Sequence, residues 1–252
     1  MRWKIAITAA TLAISLLVPV AVLAADTGTC AETNFVNRWE GFLKSLPSMA
    51  GAEATLENQS LNICSSSTDG SRANHVYVAL DDGGAHAFNI FQAGLVNCVD
   101  TFLPNASCNN NGTHEFWAWG RQSCPGLADV APNPKFMGAF PGSSRTYTVL
   151  KTSTQWQVKV SGTVTETLPL ASICWAPKRT EHTGESWDIR DAIGGPVGNP
   201  FRLSNATYEA SVGGAWSNMN WGTGGICNLS SDARYKCNAP TGTSIDLWTV
   251  QP

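Results

Sequence analysis

Gln92 is the side chain whose type and position first suggest chemistry. It lies in the middle of residues 87–96, Ala-Phe-Asn-Ile-Phe-Gln-Ala-Gly-Leu-Val, a run that is apolar on both faces of a strand. A primary amide buried there without partners would cost roughly 1–3 kcal/mol. Gln92 is therefore either a structural amide that ties adjacent strands or a loop, or an amide directed at a substrate, and the residues alone leave both interpretations open.

Several familiar catalytic and metal-binding arrangements are absent from the sequence. It contains no Gly-X-Ser-X-Gly, His-Glu-X-X-His, phosphate-loop or dinucleotide-binding motif. The four histidines are scattered, as strand-end or loop residues would be, although a Ser-His-Asp triad stays open because its members need not be adjacent in sequence. With no Cys-X-X-Cys pair and no His-rich spacing, we expect neither a metal site nor a cofactor.

β-Strands dominate the elements that must position Gln92. Short apolar or alternating segments are separated by turn clusters at close intervals, the pattern of a sandwich. The predicted strands are 75–80, 86–96, 115–119, 146–150, 155–160, 163–168, 186–189, 201–208 and 245–250. Because 76–80 and 87–96 are apolar on both faces, we place them centrally in a sheet. The prediction is an all-β antiparallel sandwich, a lectin-like jelly roll of the concanavalin A type.

Two features of the pattern have competing interpretations. The apolar stripe of Asn34–Leu46 predicts a helix, whereas Trp39–Leu43 can also be read as a strand. Trp117 and Trp119 share one face of their strand, where they either line a binding cleft or pack in the core.

The N-terminal segment has the features of a secretory signal. Arg2 and Lys4 precede an apolar stretch, and Val22-Leu23-Ala24 fits a cleavage site. We therefore expect a signal peptide over 1–24, a single secreted β-sandwich domain over 25–252 and no membrane association after cleavage. The chain has 16 Lys and Arg against 19 Asp and Glu, so removal of Arg2 and Lys4 takes the net charge from −3 to −5. This acidic balance argues against nucleic acid as a partner.

Eight cysteines follow the signal segment. An even number in an exported chain suggests up to four disulfides, whose pairing the sequence cannot give. Cys98 and Cys108 are close enough for a local loop, as are Cys227 and Cys237.

The segment HVYVALDDGGAHAFNIFQAGLVNC resembles the glutamine-bearing strand pair of the glutamic peptidases, the eqolisin family. That family has an aromatic-Val-Gly-Ile-Asp-Gly strand, then a strand ending in Gln-Thr-Gly with a cysteine six residues after the glutamine. The counterparts here are Tyr77 to Asp81, then Gln92, Gly94 and Cys98. Four further segments resemble family segments in the same order: NRWEG (37–41), HEFWAWG (114–120), SWDIRD (186–191) and NPFRLSNATY (199–208).

The resemblance implies a catalytic pair. A glutamate would act as general base toward water and then as acid toward the leaving amine, and Gln92 would donate to the developing oxyanion. Glu185 is the candidate acid, and Trp39 and Tyr77, with Trp117 and Trp119, are candidate substrate contacts.

The sequence departs from the family pattern at the carboxyl groups. The family strand reads Glu-Trp-Ile-Val-Glu-Asp, whereas here Ser186 separates Glu185 from Trp187. Alternation then turns Glu185 away from the catalytic face unless a β-bulge at Ser186 re-aims it. Glu181 and Asp188 are alternative acids that we expect to be solvated.

Two more departures concern neighbouring strands. Ala118 replaces an acid before the last Trp of the aromatic strand, and Glu115 could compensate only after a rearrangement. The usual partner of Cys98 is also missing before the Gln92 strand, so Cys98 must pair elsewhere.

Three functions remain open. The first is a secreted acid endopeptidase that acts on polypeptides through Gln92 and Glu185, with an acidic optimum. The second is a catalytically inactive lectin-like sandwich that binds glycan or peptide through Trp117 and Trp119. The third is a disulfide-bonded exported domain with a structural role. We expect a monomer in each case.

Overall fold

Two β-sheets, antiparallel except where the two-residue strand at 195–196 pairs in parallel, form a sandwich in the part of the chain that the computed structural model describes. The described residues are 35–61, 72–99, 112–188, 195–196, 198–221 and 235–249. The strands are β1 (Phe35–Ser45), β2 (Gly51–Leu56), β3 (Arg72–Asp81), β4 (Ile90–Val99), β5 (His114–Trp119), β6 (Lys135–Ala139), β7 (Arg145–Lys151), β8 (Gln155–Val160), β9 (Thr163–Pro169), β10 (Arg179–Asp188), β11 (Gly195–Pro196), β12 (Phe201–Glu209), β13 (Trp216–Asn218), β14 (Tyr235–Thr241) and β15 (Ser244–Thr249). A 3-10 turn covers Leu170–Ser172. These ranges contain no helix long and apolar enough to cross a membrane.

The first sheet has the order β1-β10-β3-β4-β5-β6. The second has the order β11-β15-β12-β2-β7-β8-β9, with β13 on β12 and β14 on β15. The all-β sandwich prediction is confirmed, and so is the central position of β3 and β4.

The main core lies between the sheets. Val78 and Phe91 of the first sheet are fully buried with Tyr147, Trp156 and Phe201 of the second. Since side chains alternate along a strand, the residues between these core positions on β3 and β4 point to the outer face of the first sheet. Gln92, next to Phe91, therefore faces away from the core.

The helix predicted over Asn34–Leu46 is wrong, because this segment is the edge strand β1. Gly41 lies in its middle with φ +141°, and a Cβ there would collide with the His182 carbonyl oxygen and lie 2.7 Å from Thr183 Cα. The glycine thus permits close pairing with β10 while weakening a helix by about 1 kcal/mol.

One disulfide joins Cys124 and Cys174, with their Cα atoms 5.7 Å apart. Cys98 and Cys237 are also disulfide-bonded. The local partners predicted for them, Cys108 and Cys227, lie outside the described residues, as does the segment 1–24.

At Gly94, two residues from Gln92, β3 and β4 approach each other closely. A Cβ there would collide with the Val76 carbonyl oxygen and lie 2.7 Å from Tyr77 Cα. We expect Gly94→Ala to lower the free energy of unfolding by about 2–3 kcal/mol, because backbone must move in the middle of a sheet. Urea denaturation checks this against Gly142→Ala, where the added Cβ meets nothing within 4 Å. Equal stability of the two variants would contradict it.

Candidate active site

One row of side chains crosses the outer face of the first sheet at Gln92. Gln92 pairs with Ala79 on β3 and with Ala118 on β5, and Ala79 pairs with Glu181 on β10. Directly opposed residues of antiparallel strands share a face. Glu181 and Gln92 therefore lie in one row, two strand spacings or about 10 Å apart at Cα, with Ala79 between them.

Ala79, a small side chain, is the residue between the amide and the carboxyl group in this row. Gln92 is 5% exposed, and its buried Oε1 has no hydrogen-bond partner within the described part of the chain. A buried amide oxygen without a donor is costly, so it needs an explanation other than packing. The arrangement favours the interpretation of Gln92 as a group directed at a ligand.

The carboxyl group of Glu181 is held at both oxygens. Arg179 Nη2 donates to Oε1 over 2.9 Å, and the Tyr77 hydroxyl donates to Oε2 over 3.2 Å. Arg179 Nε also donates to Asp81 Oδ2 over 2.8 Å. Asp81 in turn accepts from the backbone amides of residues 83 and 84 at 2.6 and 3.0 Å. The turn after β3 thus fixes Asp81, and through Arg179 it fixes Glu181.

The environment of Glu181 favours its protonated form. Burial, with a smaller contribution from the neighbouring Asp81, raises the pKa of Glu181 to about 8 against the opposing effect of Arg179. The expectation that Glu181 is a solvated acid is therefore wrong, since its side chain is only 12% exposed. A largely buried carboxyl group with a raised pKa is a candidate for acid–base catalysis.

Glu185 shares the face of Gln92 and Glu181 without a β-bulge. β10 pairs with β3 in continuous register from Arg179 to Ser186, so residues 181 and 185, four apart, point the same way. The bulge predicted at Ser186 is not needed. Glu185 pairs with His75 and accepts from the Tyr77 hydroxyl over 3.3 Å. Its Cα lies about 16 Å from that of Gln92, too far for both side chains to flank one water.

Sequence reasoning considered Glu181 but did not assign it to the site. The family strand Glu-Trp-Ile-Val-Glu-Asp has two glutamates four residues apart, and Glu181-His182-Thr183-Gly184-Glu185-Ser186 has the same spacing. This pair of acids places Glu181 at the first glutamate of the family strand, whereas Trp187 as the reference point favours Glu185.

The predicted aromatic contacts divide between the two faces. Tyr77 lies on the Gln92 face, 1% exposed and bonded to both glutamates. Trp117 and Trp119 flank Ala118 on β5 and so point to the opposite face, where Trp117 is buried in the main core and Trp119 packs against it. They cannot floor a cleft at Gln92. Trp39 pairs with Glu185 along the backbone, and its side chain lies outside the described residues.

The other acids considered from sequence do not join the described row. Glu115 points into the sandwich, where its carboxylate accepts from the Tyr147 hydroxyl over 2.7 Å and from Arg145 over 3.0 Å. It therefore does not replace the acid missing at Ala118. The side chain of Asp188 lies outside the described residues.

Two histidines near the site are buried and neutral. Burial lowers the pKa of His75 to about 3 and that of His182 to about 4. No cluster of three or more potential metal ligands occurs in the ranges that the structure describes. The polar groups that the described residues bring together near Gln92 are an amide, carboxyl groups, a phenol and a guanidinium.

No protein-family model matches the chain, and no curated protein matches it. Solved structures, in contrast, do align with the chain. A crystal structure of scytalido-glutamic peptidase with a peptide-based transition-state analogue aligns with a TM-score of 0.54 at 14% identity, over 85% of this chain and 98% of that one. SCP-B, a member of the eqolisin family of peptidases in complex with the tripeptide Ala-Ile-His, aligns with a TM-score of 0.53 at 14% identity and the same coverage. This chain has the glutamic-peptidase fold. The likeness extends over nearly the whole length of both peptidases, as the order of the resembling segments predicts.

Proposed function

We propose that this chain is a secreted peptide hydrolase in which Gln92 and Glu181 flank the attacking water. The observation that carries the proposal is the row Gln92–Ala79–Glu181, an amide and a carboxyl group facing each other across a methyl side chain. The glutamic-peptidase fold supports it, and so do the bound tripeptide and transition-state analogue of the two aligned peptidases. The charged and apolar pattern of residues 1–24, typical of a secretory signal, supports export. We propose a monomeric domain over 25–252 that acts on polypeptides.

The residues of the row would divide the chemistry between them. The Glu181 carboxylate takes a proton from water as the water oxygen bonds to the peptide carbonyl carbon. The Gln92 amide donates to the carbonyl oxygen while it carries negative charge. Glu181 then gives its proton to the leaving nitrogen as the C–N bond breaks. Arg179 and Tyr77 hold the carboxyl group in place throughout.

Substrate would reach the row from the side of β10. Gln92 is nearly enclosed, whereas the side chains of Glu181 and Arg179 are 12% and 22% exposed. The exposed turn 83–88 borders this edge. Glycan binding has less support, because Trp117 and Trp119, the aromatic platform on which that alternative depended, lie on the core side of β5.

Replacement of the oxyanion donor tests the proposal. We expect the chain purified from a secreting host to cleave unfolded protein, and Gln92→Ala to lower kcat/KM by about 100- to 1000-fold, the effect of losing one preorganised donor. Gln157→Ala on β8 of the other sheet is the matched control and should leave the rate unchanged. Absence of cleavage from acidic to weakly alkaline pH, or equal rates for the two variants, would overturn the proposal.

A further inference from the structure

Trp216 of β13 is a large aromatic side chain on the surface of the second sheet, and 40% of it is exposed to solvent. It pairs with Glu209 of β12, which pairs with Gly51 of β2. Gly51 precedes Ala52, a fully buried residue of the main core, so the row Trp216–Glu209–Gly51 points to the outer face of this sheet. The row of Gln92 lies on the outer face of the other sheet, so the two surfaces are on opposite sides of the sandwich.

The indole of Trp216 runs along this face instead of standing out from it. A Cβ built at Gly51 would lie 2.7 Å from Trp216 Cη2 and 3.1 Å from Leu150 Cδ1. The far end of the ring therefore crosses Glu209, which is 3% exposed, and rests on the glycine two strands away. One side of the indole packs against the sheet, and the exposed side can contact a ligand.

A row of hydrogen-bonding side chains runs beside the indole on the same face, two residues further along each strand. It crosses five strands, which is about 19 Å at the usual strand spacing. Its members are Asn218, Thr207, Glu53, Thr148 and Lys159. The Thr148 hydroxyl donates to Glu53 Oε2 over 2.7 Å, and in the next row the hydroxyls of Thr55 and Thr146 are 2.8 Å apart. These bonds order the polar groups before a ligand binds, which lowers the entropic cost of binding.

The chemistry of this face indicates the class of its ligand. An aromatic ring offers an apolar surface to the C–H groups of a sugar, and hydroxyl, amide and carboxylate groups beside it can bond to sugar hydroxyls. The polar row contains one acidic and one basic side chain, Glu53 and Lys159, so it has no net charge to attract nucleic acid or an anionic membrane. An open row of this length suits an extended chain, whereas a compact ligand is bound in a cleft or cavity.

We propose that the outer face of the second sheet binds a neutral, extended oligosaccharide. Trp216 stacks on one sugar ring, and the row from Asn218 to Lys159 bonds to the hydroxyl groups of the chain. Glycan binding thus depends on the second sheet and not on Trp117 and Trp119 of the first. The proposal is independent of peptide hydrolysis, because the two faces share no side chain.

Calorimetric titration of the full secreted chain with cellohexaose, xylohexaose and mannohexaose, three neutral oligosaccharides, tests the proposal. We expect a Kd below about 1 mM for at least one of them. Trp216→Ala should weaken that binding at least about tenfold, the effect of truncating a central aromatic contact. Gly51→Ala keeps the indole but displaces its far end, so it should weaken the same binding to a smaller extent.

The matched control is Leu127→Ala, because Leu127 is also 40% exposed but lies in the loop between β5 and β6. It should leave the sugar affinity unchanged. Absence of binding to all three sugars, or equal affinities of Trp216→Ala and the wild type, would overturn the proposal. So would a need for Trp216 in self-association or in binding to phosphatidylcholine vesicles in place of sugar, since the face would then serve a protein or a membrane. If Gly51→Ala does not fold, the Trp216→Ala titration decides. Peptide cleavage is not measured, so failure of the proposed function leaves this result unaffected.

Discussion

Glu181→Gln is expected to lower kcat/KM for peptide cleavage by at least about 1000-fold, whereas Glu185→Gln is expected to stay within about tenfold of the wild type. Both substitutions make the same isosteric change, four residues apart on one face of β10, so each is the control for the other. Only residue 181 shares the row of Gln92. Steady-state kinetics on one peptide substrate measure the difference.

The pH profile of the same enzymes adds a second readout. Since burial raises the pKa of Glu181 to about 8, the ionised base increases with pH through the acidic range. We therefore expect kcat/KM to rise toward neutral pH, in place of the acidic optimum predicted from the sequence. Glu185→Gln removes a neighbouring acid that raises the pKa of Glu181, so its profile should move to lower pH. An inactive Glu185→Gln beside an active Glu181→Gln would restore the assignment made from sequence.

The strands of the sandwich were largely predictable because their patterns are local. β3 and β4 are apolar on both faces, and the hairpin of β7 and β8 is marked by its polar turn. β2 was missed because Gly51–Leu56 is short and weakly apolar, and its strand character comes from pairing with β12 and β7. Those partners are distant in sequence, so no local pattern could indicate them.

The glutamine of the site was predictable, but its acidic partner was not. An amide inside a doubly apolar strand is conspicuous in the sequence, whereas the residue opposite it depends on the register of β10 against β3 and of β3 against β4. A shift of one residue in either pairing would turn Glu181 away from Gln92. Register is set by the pairing of all the strands in the sheet. The position of Trp187 next to Ser186 and Glu185 did not indicate it correctly.

The orientation of Trp117 and Trp119 also depends on strand register, which the sequence alone does not give. Trp117 and Trp119 alternate with Ala118, so the sequence shows that one face of β5 carries large side chains and the other a small one. Which face meets the core depends on the pairing of Ala118 with Gln92. Once that pairing is known, the small residue lies beside the site and the two rings lie on the core side.

The free energy of unfolding is expected to be greatest between about pH 4.5 and 6.5 and to fall on both sides. Burial raises the pKa of Glu40 well above 4.5 and that of Glu181 to about 8. Their stabilising contributions are complete below 4.5 and are lost as pH rises toward the folded-state values. Burial lowers the pKa of His75 and His182 to about 3 and 4 from 6.5, so their contributions are complete above 6.5 and are lost on acidification. Between pH 4.5 and 6.5, rising pH removes stabilisation by the two glutamates and adds stabilisation by the two histidines. The two effects on the free energy of unfolding therefore oppose each other.

Two variants test separately the loss of unfolding free energy at acidic pH and the loss at alkaline pH. Each group that differs in protonation between the folded and unfolded states changes the free energy by about 1.4 kcal/mol per pH unit. Glu40→Gln removes one of the two carboxyl groups with a raised pKa and should reduce the loss above pH 6.5, leaving the loss at acidic pH unchanged. His182→Gln should reduce the acidic loss by less than half, because the pKa of His182 is about 4 and that of His75 about 3, and it should leave the loss at alkaline pH unchanged. Urea denaturation at a series of pH values measures both losses. A flat profile in the wild type, or a variant that alters the opposite loss, would contradict the neutral state of these buried side chains in the folded protein.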